Sequence, residues 1–193
     1  MCHNCYVRNR FILIFFICVA SIIVLTIYWP YVFPNHDLAR SQSTYLNQHK
    51  NDYVEWQIWS EDVLLKAKKD NKLLFISAGF ATCYWCHYMQ KDSFQDFFLA
   101  KYLNDYYYSI LIDKEVDVTI NRLYMQALTF EKGYGGWPMT IIALPDGTPI
   151  FLGITLQRDE LLKTLKYYHE FWLEKPEKLQ DMAADWLKNY ASD

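Results

Sequence analysis

Leu73-Leu74-Phe75-Ile76-Ser77-Ala78, followed after a short gap by Cys83-Tyr84-Trp85-Cys86-His87, is the stretch whose reading decides the fold. The first six residues are an apolar run of strand length, and the segment after them has helical character. Cysteines three apart in the first turn of a helix can close a small disulfide ring. The helix N-terminus favours negative charge there, so the first sulfur ionises readily. A thiolate is the species that attacks disulfides, and the arrangement reads as a redox centre. Beyond residue 36 these are the only two cysteines, so thiol chemistry in that part of the chain runs through them.

On the N-terminal side of this stretch, Ser60 is placed to cap a helix over about 60–69. Glu61 and Asp62 in its first turn and Lys66, Lys68 and Lys69 near its end match the helix dipole. On the C-terminal side, Ser93-Phe94-Gln95-Asp96 has the form of a capping box, which predicts an interruption of the motif helix near Ser93. Tyr107 to Ile112 reads as a second buried strand. Ile120, Leu123, Tyr124, Ala127 and Leu128 keep helical spacing until Gly133-Tyr134-Gly135-Gly136. Met139 to Leu144 and Ile150 to Ile154 read as strands about a Pro145-Asp146-Gly147 turn. Asp159 is placed to cap a further helix, and a last one carries Leu179, Ala183 and Trp186. The order αβαβαββα plus a final helix predicts an α/β domain with a mixed central sheet and helices on both faces.

Composition narrows the function. The chain has 193 residues, 52% hydrophobic and 18% aromatic, with a formal charge of −3. No basic footprint for nucleic acid is present. Phe11 to Phe33 carries no charge, and as a helix it would reach about 34 Å, enough to cross a bilayer core. Arg8 and Arg10 precede it, and Trp29, Tyr31 and Phe33 crowd its far end. The expectation is a short cytoplasmic tail (1–10), a transmembrane signal anchor (11–33), a polar linker (34–50) and one domain (51–193). The domain would then stand outside the cytoplasm, in the periplasm of a Gram-negative bacterium, with the chain a single-pass membrane protein. Cys2-His3-Asn4-Cys5 reads as part of the tail.

The chain resembles the thioredoxin-like domain at the N-terminus of spermatogenesis-associated protein 20 and its bacterial relatives. The carriers are Ser43-Thr44-Tyr45-Leu46-Asn47-Gln48-His49, Trp59, Ala81-Thr82-Cys83-Tyr84-Trp85-Cys86-His87, Asp92-Ser93-Phe94 and Asp113-Lys114-Glu115. They continue with Leu123-Tyr124-Met125, Gly135-Gly136-Trp137-Pro138 and Pro145-Asp146-Gly147. Asp52-Tyr53-Val54 departs from the family's Asn-Pro-Val, Ile154-Thr155-Leu156 departs from its Gly-Thr-Tyr, and the large helical domain of long members is missing. The resemblance implies a thioredoxin fold and thiol chemistry, and it leaves the substrate open.

In this reading Cys83 is the attacking sulfur, with Thr82 as cap, and Cys86 resolves the mixed disulfide; the two form the redox disulfide. His87, four residues after Cys83, is a candidate proton carrier. Tyr84 and Trp85 shape the docking surface but add no positive charge. The resemblance makes Trp137-Pro138 a cis-proline junction opposite the cysteines, with Trp137 beside the substrate and Gly133, Gly135 and Gly136 bringing the loop near the sulfur. Thioredoxins bury an acid six positions before the first cysteine. Ser77 stands there in this chain, which leaves Asp113 or Glu115 for proton handling.

The expected partners are protein thiols or disulfides, the membrane through residues 11–33, and an electron donor or acceptor, with no cofactor. The alternatives are a c-type haem protein built on Cys-x-x-Cys-His and a non-catalytic binding module. Structural zinc needs four ligands, whereas His36, His49, His87 and His169 are scattered.

Overall fold

The computed structural model describes residues 36–191, together with residues 18, 19 and 21. The chain divides into two units, Met1–Phe33 and Pro34–Asp193, and the second contains everything that follows. In chain order its elements are α1 (His36–Arg40), α2 (Thr44–Gln48), β1 (Trp56–Ile58), α3 (Glu61–Lys69) and β2 (Leu73–Gly79). Then come α4 (Tyr84–Met89), a π-helical turn (Gln90–Phe94), α5 (Phe97–Tyr106), β3 (Tyr107–Asp113) and α6 (Val118–Lys132). β4 (Met139–Ala143), β5 (Pro149–Gly153), α7 (Arg158–Glu174) and α8 (Pro176–Ala191) complete it.

The strands form one sheet in the order β1-β3-β2-β4-β5. β3 runs parallel to both β1 and β2, while β4 is antiparallel to β2 and to β5. Every residue of β2 is buried, because β2 lies between two strands and helices cover both faces. Its side chains alternate between two cores. Leu73 and Phe75 join a cluster with Tyr45, Trp56, Cys83, Cys86, Phe94 and Leu161. Leu74, Ile76 and Ala78 join Val63, Ala67, Tyr124 and Leu128 on the other face. The strand period of two therefore sends Ser77 and Gly79 to the face that carries the cysteines.

Several local expectations hold, and others move. Ser60 Oγ accepts the Val63 N–H at the start of α3, and Gly133 ends α6 in the left-handed region at φ 75°, where lacking a Cβ removes the steric penalty. The motif helix is interrupted as expected, by the π-helical turn. However, Asp96 rather than Ser93 caps α5, accepting the Leu99 N–H at 2.9 Å; Ser93 is itself inside the turn and fully buried. The expected Asp159 cap is corrected too. Gln157 holds the cap position of α7 without a side-chain bond, and Asp92 accepts the Arg158 N–H at 2.8 Å from across the fold.

Two larger corrections concern the N-terminal side. The expected polar linker of residues 34–50 contains α1 and α2, and Leu38, Tyr45, Leu46 and His49 within it are buried. Most of its polar residues face outward, Ser43 and His49 being the buried exceptions, while its few apolar ones are buried, too sparsely for a periodic signal. β1 went unread because three residues are too short for an alternation pattern. The expected tail (1–10) lies outside the described residues, as does the expected anchor (11–33) apart from residues 18, 19 and 21. Among the described residues no helix is long and apolar enough to cross a membrane.

Candidate active site

β2 ends at Gly79, and the chain turns through Phe80, Ala81 and Thr82 into α4. Cys83 is the N-cap of α4 with extended backbone, and its sulfur accepts the Cys86 N–H at 3.2 Å. The expected cap at Thr82 is therefore corrected: the sulfur of Cys83 fills that role itself. Cys83 and Cys86 are joined in a disulfide, S–S 2.20 Å, with Cα atoms 5.2 Å apart. Cys83 is 6% exposed and Cys86 1%, which makes Cys83 the more accessible of the two sulfurs.

Tyr84 and Trp85, between the cysteines, point outward and are 73% and 53% exposed. Their rings meet edge to face at 5.3 Å, and Trp85 meets Tyr88 at 5.6 Å. This is an exposed aromatic rim on the same turn as the disulfide. His87 is turned elsewhere. Its Nε2 lies 2.9 Å from the Ala81 carbonyl, which can only accept, so Nε2 carries the hydrogen. The imidazole thus ties the loop before the motif to α4.

The Trp137–Pro138 peptide bond is cis. Met139 pairs with Ala78 across the antiparallel β2–β4 ladder, which puts Pro138 beside the end of β2 where the cysteine loop departs. Trp137 packs edge to face on Phe80 at 5.7 Å and donates from Nε1 to Asn121 Oδ1 at 3.1 Å. The glycines before it behave differently from the expectation. A Cβ on Gly135 would strike Met125 Sδ at 2.5 Å, and one on Gly136 would meet Ile154. That loop packs on α6 and on Ile154, just past β5.

Lys114 follows the end of β3. Its Nζ lies 3.7 Å from the Phe80 ring centroid and 4.4 Å from that of Trp137. A cation is thereby held on the two rings that flank the cysteine loop. Asp113 is buried, accepts from Ser43 Oγ at 2.5 Å and from the Glu115 N–H at 2.9 Å, whereas Glu115 is exposed.

A buried polar network behind α4 was not read from the sequence. Asp52 Oδ2 accepts from His49 Nδ1 at 2.7 Å and from Trp56 Nε1 at 2.9 Å, and its Oδ1 accepts from Gln90 Nε2 at 2.8 Å. Gln90 also donates to the Gln48 carbonyl. The network ties α2, β1 and the π-helical turn together directly behind the cysteines. His49 in the Ser43–His49 motif was its one available sign.

The haem alternative fits these contacts poorly. Covalent attachment consumes both sulfurs and needs a free His87 nitrogen on the haem side, yet the sulfurs are bonded to each other and Nε2 is engaged. Among the described residues, no three His, Cys, Asp or Glu side chains are grouped to hold a metal ion.

A mixed five-stranded sheet of this order, with a Cys-x-x-Cys disulfide at the β2–α4 junction, defines a thioredoxin-like α/β domain. The chain belongs to the Thioredox_DsbH family, described as "Protein of unknown function, DUF255", whose pattern matches residues 35–191. It is 36% identical over 157 residues to the Caenorhabditis elegans "Uncharacterized protein B0495.5", covering 78% of this chain and 22% of that one. It is 37% identical over 118 residues to rat spermatogenesis-associated protein 20, covering 61% of this chain and 15% of the relative. The human protein of that name is 36% identical over 122 residues, 63% of this chain and 15% of its own length. The chain thus spans less than a quarter of these relatives. Among solved structures, a "DsbH Oxidoreductase" aligns at 18% identity and TM-score 0.47, over 61% of this chain and 85% of that one. A "putative disulphide-isomerase from Bacteroides thetaiotaomicron" aligns at 22% and 0.49, over 64% and 96%.

The single-pass, extracytoplasmic placement expected from residues 11–33 does not stand. Among the described residues no helix is long and apolar enough to span a bilayer, and the mammalian relatives are named as spermatogenesis-associated proteins, not as membrane proteins.

Proposed function

We propose that this chain is a thiol–disulfide oxidoreductase acting on the disulfides or thiols of partner proteins. As a reductase, the Cys83 thiolate attacks one sulfur of the partner's disulfide, and the other sulfur leaves with the bonding electron pair. Cys86, as its thiolate, then attacks the Cys83 sulfur, the partner sulfur bonded to Cys83 leaves with the electron pair of that bond, and Cys83–Cys86 is left oxidised. Run backward, the same steps donate the disulfide to a dithiol. A dithiol or disulfide electron partner resets the pair.

The observation that carries this reading is the Cys83 sulfur in the cap position, accepting the Cys86 N–H. A backbone N–H aimed at a sulfur favours its anion and raises the fraction present as nucleophile. Lys114, held over Phe80 and Trp137, adds positive charge to the same loop. A protein substrate is favoured by the exposed Tyr84 and Trp85, large rigid rings of the kind that anchor protein contacts. Trp137 and Pro138 complete the proposed site. His87 serves it by holding the Ala81 carbonyl.

The test is a Cys86→Ala chain incubated with cell extract. Partner proteins are expected to accumulate as adducts on Cys83 that a reductant releases. A Cys83 that forms no adducts and resists alkylation at neutral pH would refute the proposal and leave a binding module.

A further inference from the structure

Tyr45, on α2, is 1% exposed, and its hydroxyl faces that of Ser77 without a well-formed hydrogen bond. Ser77, at the position of the missing acid, is fully buried, and its hydroxyl makes no well-formed bond elsewhere. Buried hydroxyls without partners are uncommon in folded proteins, because each has given up its water. Gly79 shows what the Tyr45 oxygen faces. A Cβ on Gly79 would stand 2.7 Å from Cys86 Sγ and would also collide with the Tyr45 hydroxyl. The phenol oxygen and the sulfur therefore lie on the same side of Gly79, and the absence of a side chain there leaves the space between them open. The nearby carboxylate, Asp113, is tied to Ser43 and Glu115.

We propose that the Tyr45 hydroxyl is the hydrogen-bond donor to the Cys86 sulfur when the disulfide opens. The inference rests on the oxidoreductase reading and adds a residue to it. When a thiolate attacks the Cys83 sulfur, a new S–S bond forms to Cys83 and the Cys83–Cys86 bond breaks. Its electron pair goes to Cys86, and the Tyr45 O–H then finds an anionic acceptor, stronger than the neutral Ser77 hydroxyl. In the other direction the same bond favours the deprotonated Cys86 that attacks Cys83. No proton need be transferred. Burial lifts the phenol far above its ordinary range, with Ser77 opposing and the charges of Asp52 and Asp113 adding, so Tyr45 keeps its hydrogen throughout. The residue does for the buried sulfur what the backbone N–H does for Cys83.

The experiment compares Tyr45→Phe with the unaltered full chain, since phenylalanine keeps the ring and its edge contact with His49. The rate at which dithiothreitol opens Cys83–Cys86 is expected to fall about three- to fivefold, because a leaving sulfur of higher pKa departs more slowly and the dependence is fractional. In a Cys83→Ala background, the Cys86 pKa followed by carbon NMR of labelled cysteine is expected to rise by about one unit on Tyr45→Phe, the loss of one hydrogen bond to a charged acceptor. An opening rate within twofold and an unmoved Cys86 pKa would overturn the inference. If Tyr45→Phe does not fold, the Tyr45 Cζ resonance of the unaltered chain decides: it must shift on reduction, and a static resonance overturns the role. A chain that cannot cycle between dithiol and disulfide at all refutes the oxidoreductase reading instead, so the two failures are distinct.

Discussion

Asp52→Ala is the sharpest perturbation of the scaffold behind the cysteines. The Asp52 carboxylate is fully buried and accepts from His49, Trp56 and Gln90 at 2.7–2.9 Å. A hydrogen bond to a charged group is worth about 1.5–3 kcal/mol, and a donor stripped of its acceptor in the interior loses its solvation as well. Gln90 keeps its second acceptor, the Gln48 carbonyl, so its loss is partial, whereas His49 Nδ1 loses the carboxylate 2.7 Å away. Relief of the carboxylate's own burial offsets part of the sum. The expected cost is about 4 kcal/mol, a large share of the 5–15 kcal/mol typical of a whole domain. Asp52→Asn keeps the shape and one acceptor oxygen, and about half that cost is expected. Urea unfolding at neutral pH, followed by tryptophan fluorescence, measures both. A loss below about 1 kcal/mol for Asp52→Ala with an unchanged denaturant slope would refute the reasoning that this carboxylate holds α2, β1 and the π-helical turn together.

Two further outcomes test individual side chains. His87→Gln places an amide donor near the Ala81 carbonyl, so disulfide cycling is expected within about threefold of the unaltered chain; a general acid–base group would cost about a hundredfold or more, measured as turnover of a disulfide substrate. His169 is held below its ordinary pKa by burial first, with Glu170 opposing and Lys72 adding, while Nδ1 lies 2.9 Å from the Tyr102 hydroxyl and the ring stacks on Tyr106. A histidine with a depressed folded-state pKa contributes stability that is present above the unfolded value, about 6.5, and is lost as pH falls through that range. The melting temperature is therefore expected to drop more between pH 7.5 and 5 than it does for His169→Phe, and equal drops would refute this assignment.

The physics of reading explains which parts of the molecule were legible. Leu73–Ala78 announced a central strand because a strand buried on both faces is a continuous apolar run, and Cys83–His87 announced its chemistry because the spacing that closes a disulfide lies within one helical turn. Ser60 with Glu61, Asp62 and the three lysines announced α3 because capping and dipole effects are local. Leu38, Tyr45 and Leu46 were read as linker because single apolar residues among polar ones carry no period; only docking against the sheet makes them core.

The sequence by itself determined the two sulfurs, their place after an apolar strand, and the order of elements that a mixed sheet requires, since each of these rests on interactions between residues close in the chain. The tertiary structure alone decided that Asp52 gathers His49, Trp56 and Gln90, that Lys114 settles over Phe80 and Trp137, and that Tyr45 reaches the space beside Gly79 and Cys86. Those contacts join segments separated by tens of residues, and neither spacing nor composition encodes a distance that exists only after the sheet has brought its strands together.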